Sequence, residues 1–127
     1  MQPSASSSPV QSAATDYEEK IRHLPPAAQV AFRRFRTTGD VTVLDPVVYA
    51  ILENFVPRTP PQPLAEMPAG SQLIEDLGFD SLAITEVVFF SEDLFGIHIS
   101  NEEIFQVRTL DDLRVFVRRK VEARAAR

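Results

Sequence analysis

The chain has no cysteine among its 127 residues. That excludes a disulfide framework and any protein thiol for nucleophilic or redox chemistry. It has no apolar run long enough to span a bilayer. Its N-terminal residues lack the basic segment and apolar stretch of a secretory signal. These absences lead us to expect a cytoplasmic chain with no membrane partner. Histidine is scarce: His23 and His98 are isolated, and no nucleophile–base–acid pattern surrounds either. There is no glycine-rich phosphate loop. The acids of "NEEIFQVRTLDD" lack the glycine and ligand spacing of a calcium loop, so no metal site is expected. Independent catalysis is therefore not expected. Strand-like alternation is also missing, which points to an all-α chain.

What is present is ordinary in bulk and uneven in detail. The composition, 44% hydrophobic and 24% charged, suits a soluble domain with an extension. The net charge of −5 argues against nucleic-acid binding. From Glu75 to Asp112, ten acidic residues stand against Arg108 alone, a net charge of −9. The chain then turns basic through Arg114, Arg118, Arg119, Lys120, Arg124 and Arg127, opposed only by Glu122. An acidic middle suits a basic protein partner steered by long-range attraction. The alternative is a solvated helical face.

Residues 1–14, "MQPSASSSPVQSAA", read as a disordered tail. Residues 15–40 read as a partly helical extension. Thr15 with Glu18 fits a capping box, and Pro25 and Pro26 interrupt. "PAAQVAFRRFRTT" then carries Val30, Phe32 and Phe35 as an apolar stripe beside Arg33, Arg34 and Arg36, with Gly39 placed to end it. Residues 41–122 read as a four-helix domain, followed by a basic tail, 123–127. Asp45 is placed to cap its first helix, with Pro46 at the first position and Val48, Ile51, Leu52 and Phe55 on one face. Pro57 stops that helix, and a long proline-rich loop follows. Gly78 ends a short turn. Asp80 is the predicted N-cap of a helix from Ser81 to about Phe95, closed by Gly96. Capping boxes at Ser100–Glu103 and Thr109–Asp112 start two more helices, the last with Leu113, Phe116 and Val117 on its apolar face.

This layout, with "EDLGFDSL" opening the second helix, "EDLFGIHIS" ending it and "TLDDLRVFV" in the last helix, resembles the acyl carrier protein family. The match spans roughly Val41 to Val121. The resemblance implies a four-helix carrier bundle with a long first loop. It implies that Ser81 anchors a 4'-phosphopantetheine group from coenzyme A through a phosphodiester, attached by a phosphopantetheinyl transferase. Asp80 would cap the helix and help hold the metal ion used by that enzyme. A serine at a helix start suits the role, because a phosphate there meets unpaired N–H groups and the positive dipole end. The reactive thiol is then imported.

By the same resemblance Leu82, Glu86, Phe89, Glu92 and Asp93 on the second helix contact partner enzymes: acyl-activating enzymes, condensing enzymes or acyltransferases. Phe89 and Phe90 are neighbours, so a helix cannot bury both on one narrow face. Either could be the exposed one, or both could be core or border the acyl chain's cavity. "LAIT" after Ser81 departs from the fatty-acid pattern, where an acid often follows the leucine. With the extension, this suggests a specialised monomeric carrier for fatty-acid- or polyketide-type synthesis in a dedicated pathway. The alternatives are an aminoacyl or peptidyl carrier and a docking module that is never acylated.

Overall fold

Proline and glycine punctuate the helices. In a computed structural model describing residues 17–125, α1 (residues 17–21) is followed by α2, Pro26–Thr38, with Pro26 at a position where its missing N–H costs nothing. Gly39 ends α2 in the left-handed conformation (φ 75°), its N–H donating to the Phe35 carbonyl at 2.7 Å. A 3-10 turn, Val41–Leu44, leads into α3, Asp45–Phe55. Val56 adopts an extended conformation (φ −62°, ψ 132°) ahead of Pro57, as the proline ring demands of the residue before it. The remaining helices are α4 (Ser81–Phe95), α5 (Asn101–Phe105) and α6 (Leu110–Ala125). The described residues contain no β-strand, only an isolated bridge between Gln72 and Thr109. The fold is thus all-α, with α3 to α6 as the four-helix bundle. The expected tail over residues 1–14, the Thr15 cap and the final two residues lie outside the described residues.

One core runs through the bundle and the segment before it. Leu44, Ile51, Leu52, Leu94, Leu110 and Val117 are buried at its centre. Ile21, Leu24, Ala28 and Phe32 of the extension belong to the same cluster. The Phe32 ring stands 6.2 Å from that of Phe95 at the end of α4 and 5.7 Å from Tyr17. Burial of a phenylalanine contributes about 1.5–3 kcal/mol, and aromatic pairing adds about 0.5–1.5 kcal/mol. On its outer side the extension is tied by Arg33, which donates to both Glu18 carboxylate oxygens at 2.8 and 3.0 Å. These hydrogen bonds hold the Glu18 carboxyl below the usual carboxylate range.

Two local expectations are corrected. Val30 is exposed rather than part of the buried stripe. Two residues are about 200° of helical rotation, so Val30 and Phe32 face opposite ways. The buried face is Ala28 and Phe32, with Ala31 and Phe35 half-buried beside them. Asp45 is not the cap of α3. The 3-10 turn delivers the chain already wound, so Leu44 occupies the cap and Asp45 the first helical position. The Asp45 carboxylate instead accepts from Arg118 Nε at 3.1 Å and Nη2 at 2.8 Å.

The loop between α3 and α4 is fastened to distant parts of the chain. Leu64 is buried within a 3-10 turn, Leu64–Glu66, and its N–H donates to Glu53 Oε2 at 3.2 Å. Further along, Leu73 N–H donates to the Arg108 carbonyl (2.8 Å), Leu110 N–H to Ser71 (3.0 Å) and Asp111 N–H to Ala69 (3.1 Å). The loop therefore arrives at α4 from a position set by the corner between α5 and α6.

Candidate functional site

The turn before α4 is built almost wholly from its own backbone. Asp76 and Leu77 N–H both donate to the Gln72 carbonyl, Gly78 to Ile74 and Phe79 to Leu73, all between 2.9 and 3.1 Å. Asp76 Oδ2 accepts Gln72 N–H at 2.7 Å. Gly78 has φ 79°, a conformation that favours glycine; a Cβ there would meet only the flexible guanidinium end of Arg58. Leu77 and Phe79 anchor the turn in the core. Asp80, extended at φ −108°, caps α4 by accepting Ala83 N–H on Oδ1 at 2.8 Å. Its Oδ2 accepts no hydrogen bond among the described residues.

Ser81 is therefore the first residue of a 15-residue helix, with its side chain exposed. It stands at the mouth of a cavity of about 510 Å³ between α4, α5 and residues 72–75. Leu73, Ile74, Ile84, Ile104, Phe105 and Val107 form its apolar walls, and Gln72, Glu75, Thr85, Asn101 and Arg108 its polar rim. A narrower void of about 20 Å³ shares Leu73, Ile84, Ile104 and Val107 and continues toward Leu52 and Val87. The α5 wall has no buried residue. It is held by the Ser100–Glu103 capping box and by Lys120, whose Nζ reaches Glu103 Oε2 at 3.0 Å. The Ser100 N–H and then the Lys120 ammonium keep the Glu103 carboxyl below its ordinary value.

Along α4, Leu82, Glu86, Phe89 and Asp93 follow four-, three- and four-residue steps, so they share one outward stripe. Leu82 is 69% exposed and Phe89 64%. Phe90 turns inward, edge-on to Phe55 at 5.8 Å, so Phe89 is the exposed member of the pair. The three acids of α4 differ in their surroundings. Glu86 is exposed and makes no ion pair or side-chain hydrogen bond among the described residues. Glu92 folds over the helix end, where Oε2 accepts Ile99 N–H at 2.8 Å and lies 3.4 Å from His98 Nδ1. Asp93 pairs with Lys20 of the extension at 3.3 Å.

Sequence reading had no signal for the Lys20 contact, which spans 73 residues, or for the far wall of the cavity. Ile74 and Phe105 are exposed apolar residues in short elements, at 62% and 76%, where periodicity cannot assign a face. Among the described residues no group of three or more metal-ligating side chains converges, and no helix is long and apolar enough to cross a membrane.

The site suits a phosphopantetheine group: an accessible hydroxyl, the positive end of a long helix, and an apolar cavity within reach of both. Residues 59–114 match the family model for a phosphopantetheine attachment site. The match takes in Ser81 and the cavity walls and leaves out the extension. Over 56 residues the chain is 36% identical to the acyl carrier protein of Solidesulfovibrio magneticus, covering 44% of this chain and 72% of that protein. It is 39% identical over 57 residues to the anthracycline acyl carrier protein DpsG of Streptomyces peucetius, covering 45% of this chain and 68% of the relative. It is 36% identical over 55 residues to the anthracycline acyl carrier protein DauA of a Streptomyces species, covering 43% and 66%.

Proposed function

Because this chain belongs to the acyl carrier protein family, we propose that Ser81 is its attachment point for 4'-phosphopantetheine and that it shuttles acyl intermediates between enzymes of a cytoplasmic polyketide-type pathway. The observation that carries this reading is the exposed Ser81 hydroxyl at the head of α4, opening onto an apolar cavity of about 510 Å³. When bound, the prosthetic group supplies a thiol on which acyl chains are held as thioesters.

The chain's own residues place and shield. Asp80 satisfies the Ala83 N–H and leaves the other N–H groups of the first turn of α4 to face the phosphodiester. The free Asp80 Oδ2 is the atom available to the metal ion of the phosphopantetheinyl transferase. Ile84, Ile104 and Phe105 offer apolar wall to a cargo chain. Leu82, Glu86, Phe89 and Asp93, with Glu92 beside them, form the docking stripe for acyl-activating enzymes, condensing enzymes or acyltransferases, with the two apolar side chains as anchors. The chain does no chemistry on the cargo itself. Two features support polyketide over plain fatty cargo: the anthracycline carriers among the relatives, and a polar rim of Gln72, Asn101 and Arg108 around the apolar floor.

The test is intact mass after incubation with coenzyme A and a broad-specificity phosphopantetheinyl transferase. The native chain should gain one phosphopantetheine, and Ser81→Ala should gain none while keeping its helical circular dichroism. An adduct on Ser81→Ala, or none on the native chain, overturns the assignment. The second result would favour a docking module that is never acylated.

A further inference from the structure

We propose that Lys20, which lies outside the four-helix bundle, sets partner specificity by masking Asp93 on the docking stripe of α4. The proposal rests on the reading of that stripe as the docking face. Its basis is geometric. Lys20 Nζ lies 3.3 Å from Asp93 Oδ1 and 3.4 Å from the Asp93 carbonyl oxygen, so one ammonium meets both the carboxylate and the negative end of the helix. Exposed ion pairs are often weak because two long side chains must be held in one geometry. Here the geometry is held by other means. Ile21, the next residue, is fully buried, and Lys20 Nζ lies 5.9 Å from the centre of the Tyr17 ring. Asp93 is short and fixed on α4, and the Lys20 side chain is 27% exposed; the Asp93 side chain stays 67% exposed, so the lysine masks its charge rather than covering it.

The pairing changes what a partner meets. Glu86 and Asp93 are two helical turns apart, about 10 Å. A partner carrying a row of cations at that spacing finds one carboxylate and one neutral pair. Glu92, the other acid of this helix end, keeps its charge but is folded over the helix end onto Ile99 N–H and only 23% exposed, off the stripe. The surface that remains is Leu82 and Phe89 around the single free carboxylate of Glu86. It fits an enzyme patch with an apolar pocket and one cation, and it discriminates against enzymes that recognise carriers by a basic row.

The probe is the loading rate, kcat/KM, of the full chain with a phosphopantetheinyl transferase that is known to accept many carriers and docks through a basic surface. At low salt Lys20→Ala should raise kcat/KM by roughly three- to tenfold, since a rim charge acts mainly on association. The gain should vanish at about 0.5 M salt, where screening extends only a few ångströms. Adding Asp93→Asn to Lys20→Ala should abolish the gain. Equal urea midpoints for the variants would separate docking from folding. An unchanged or lower rate for Lys20→Ala, or a gain that survives Asp93→Asn, overturns the masking role alone. A Glu86→Gln variant loaded at the native rate overturns the docking stripe beneath it, and no loading of any variant overturns the Ser81 assignment.

Discussion

The extension and the proline-rich loop are the two regions that sequence sets apart from the bundle, and they share its core but are held in it differently. Residues 17–38 are locally helical and hold their place by burying side chains: Ile21, Leu24, Ala28 and Phe32 enter the common core. Residues 56–80 contain no α-helix, yet Leu64, Leu73, Leu77 and Phe79 enter the same core. In addition they are tied by backbone hydrogen bonds to Arg108, Leu110 and Asp111, dozens of residues away. The first kind of order comes from pattern and packing. The second depends on the rest of the chain having folded.

The sharpest way to break this comparison is Phe32→Ala. If the extension shares the core, the loss should appear in the stability of the whole described unit, about 3–5 kcal/mol for a buried phenylalanine. In a Tyr17→Phe background, so that Tyr49 alone reports by fluorescence, urea unfolding followed by circular dichroism and by fluorescence should show one coincident transition moved to lower urea. A transition of the bundle that stays in place while some helicity disappears would mark the extension as an independent arm. Leu64→Ala should cost less, near 2 kcal/mol at the low end of buried leucine truncations, because a loop can collapse partway into the gap. Amide exchange should then speed up at Leu73, Leu110 and Asp111, the donors that tie the loop down, while the amides of α2 keep their protection.

The smallest effect belongs to the surface of the extension. Glu18 has its carboxyl lowered from the ordinary value of 4.5 by Arg33. A carboxyl depressed on folding contributes in full above its unfolded value and loses that contribution as pH falls through the folded one. Glu18→Gln should therefore lower stability at pH 7, and only slightly, because the pair is exposed to solvent. Between pH 4.5 and the lower folded value, it should flatten the acid decline seen in urea midpoints.

Legibility followed the same division. Caps that act within four residues were readable: Asp80 on Ala83, Ser100 with Glu103, and Thr109 with Asp112 all bond as their spacing implies. Asp45 misled because its identity suits a cap, whereas the preceding 3-10 turn, which sequence did not reveal, moved it one step into the helix and gave its charge to Arg118. Glu92 and Asp93 look alike in sequence as consecutive acids. Their separate fates depend on a turn and on a lysine 73 residues upstream. The loop-to-corner bonds were invisible for the same reason: a backbone N–H carries no label for its distant acceptor.

The shared core also fixes where the described extension begins. Lys20 and Phe32 meet α4 at Asp93 and Phe95, the end opposite Ser81. With 15 residues at about 1.5 Å each, α4 is a strut of roughly 20 Å. Tyr17, whose ring packs on Phe32, therefore lies by the far end of that strut. The described extension thus braces α4 at one end and leaves the Ser81 end uncovered by its own packing, a lever held at its butt.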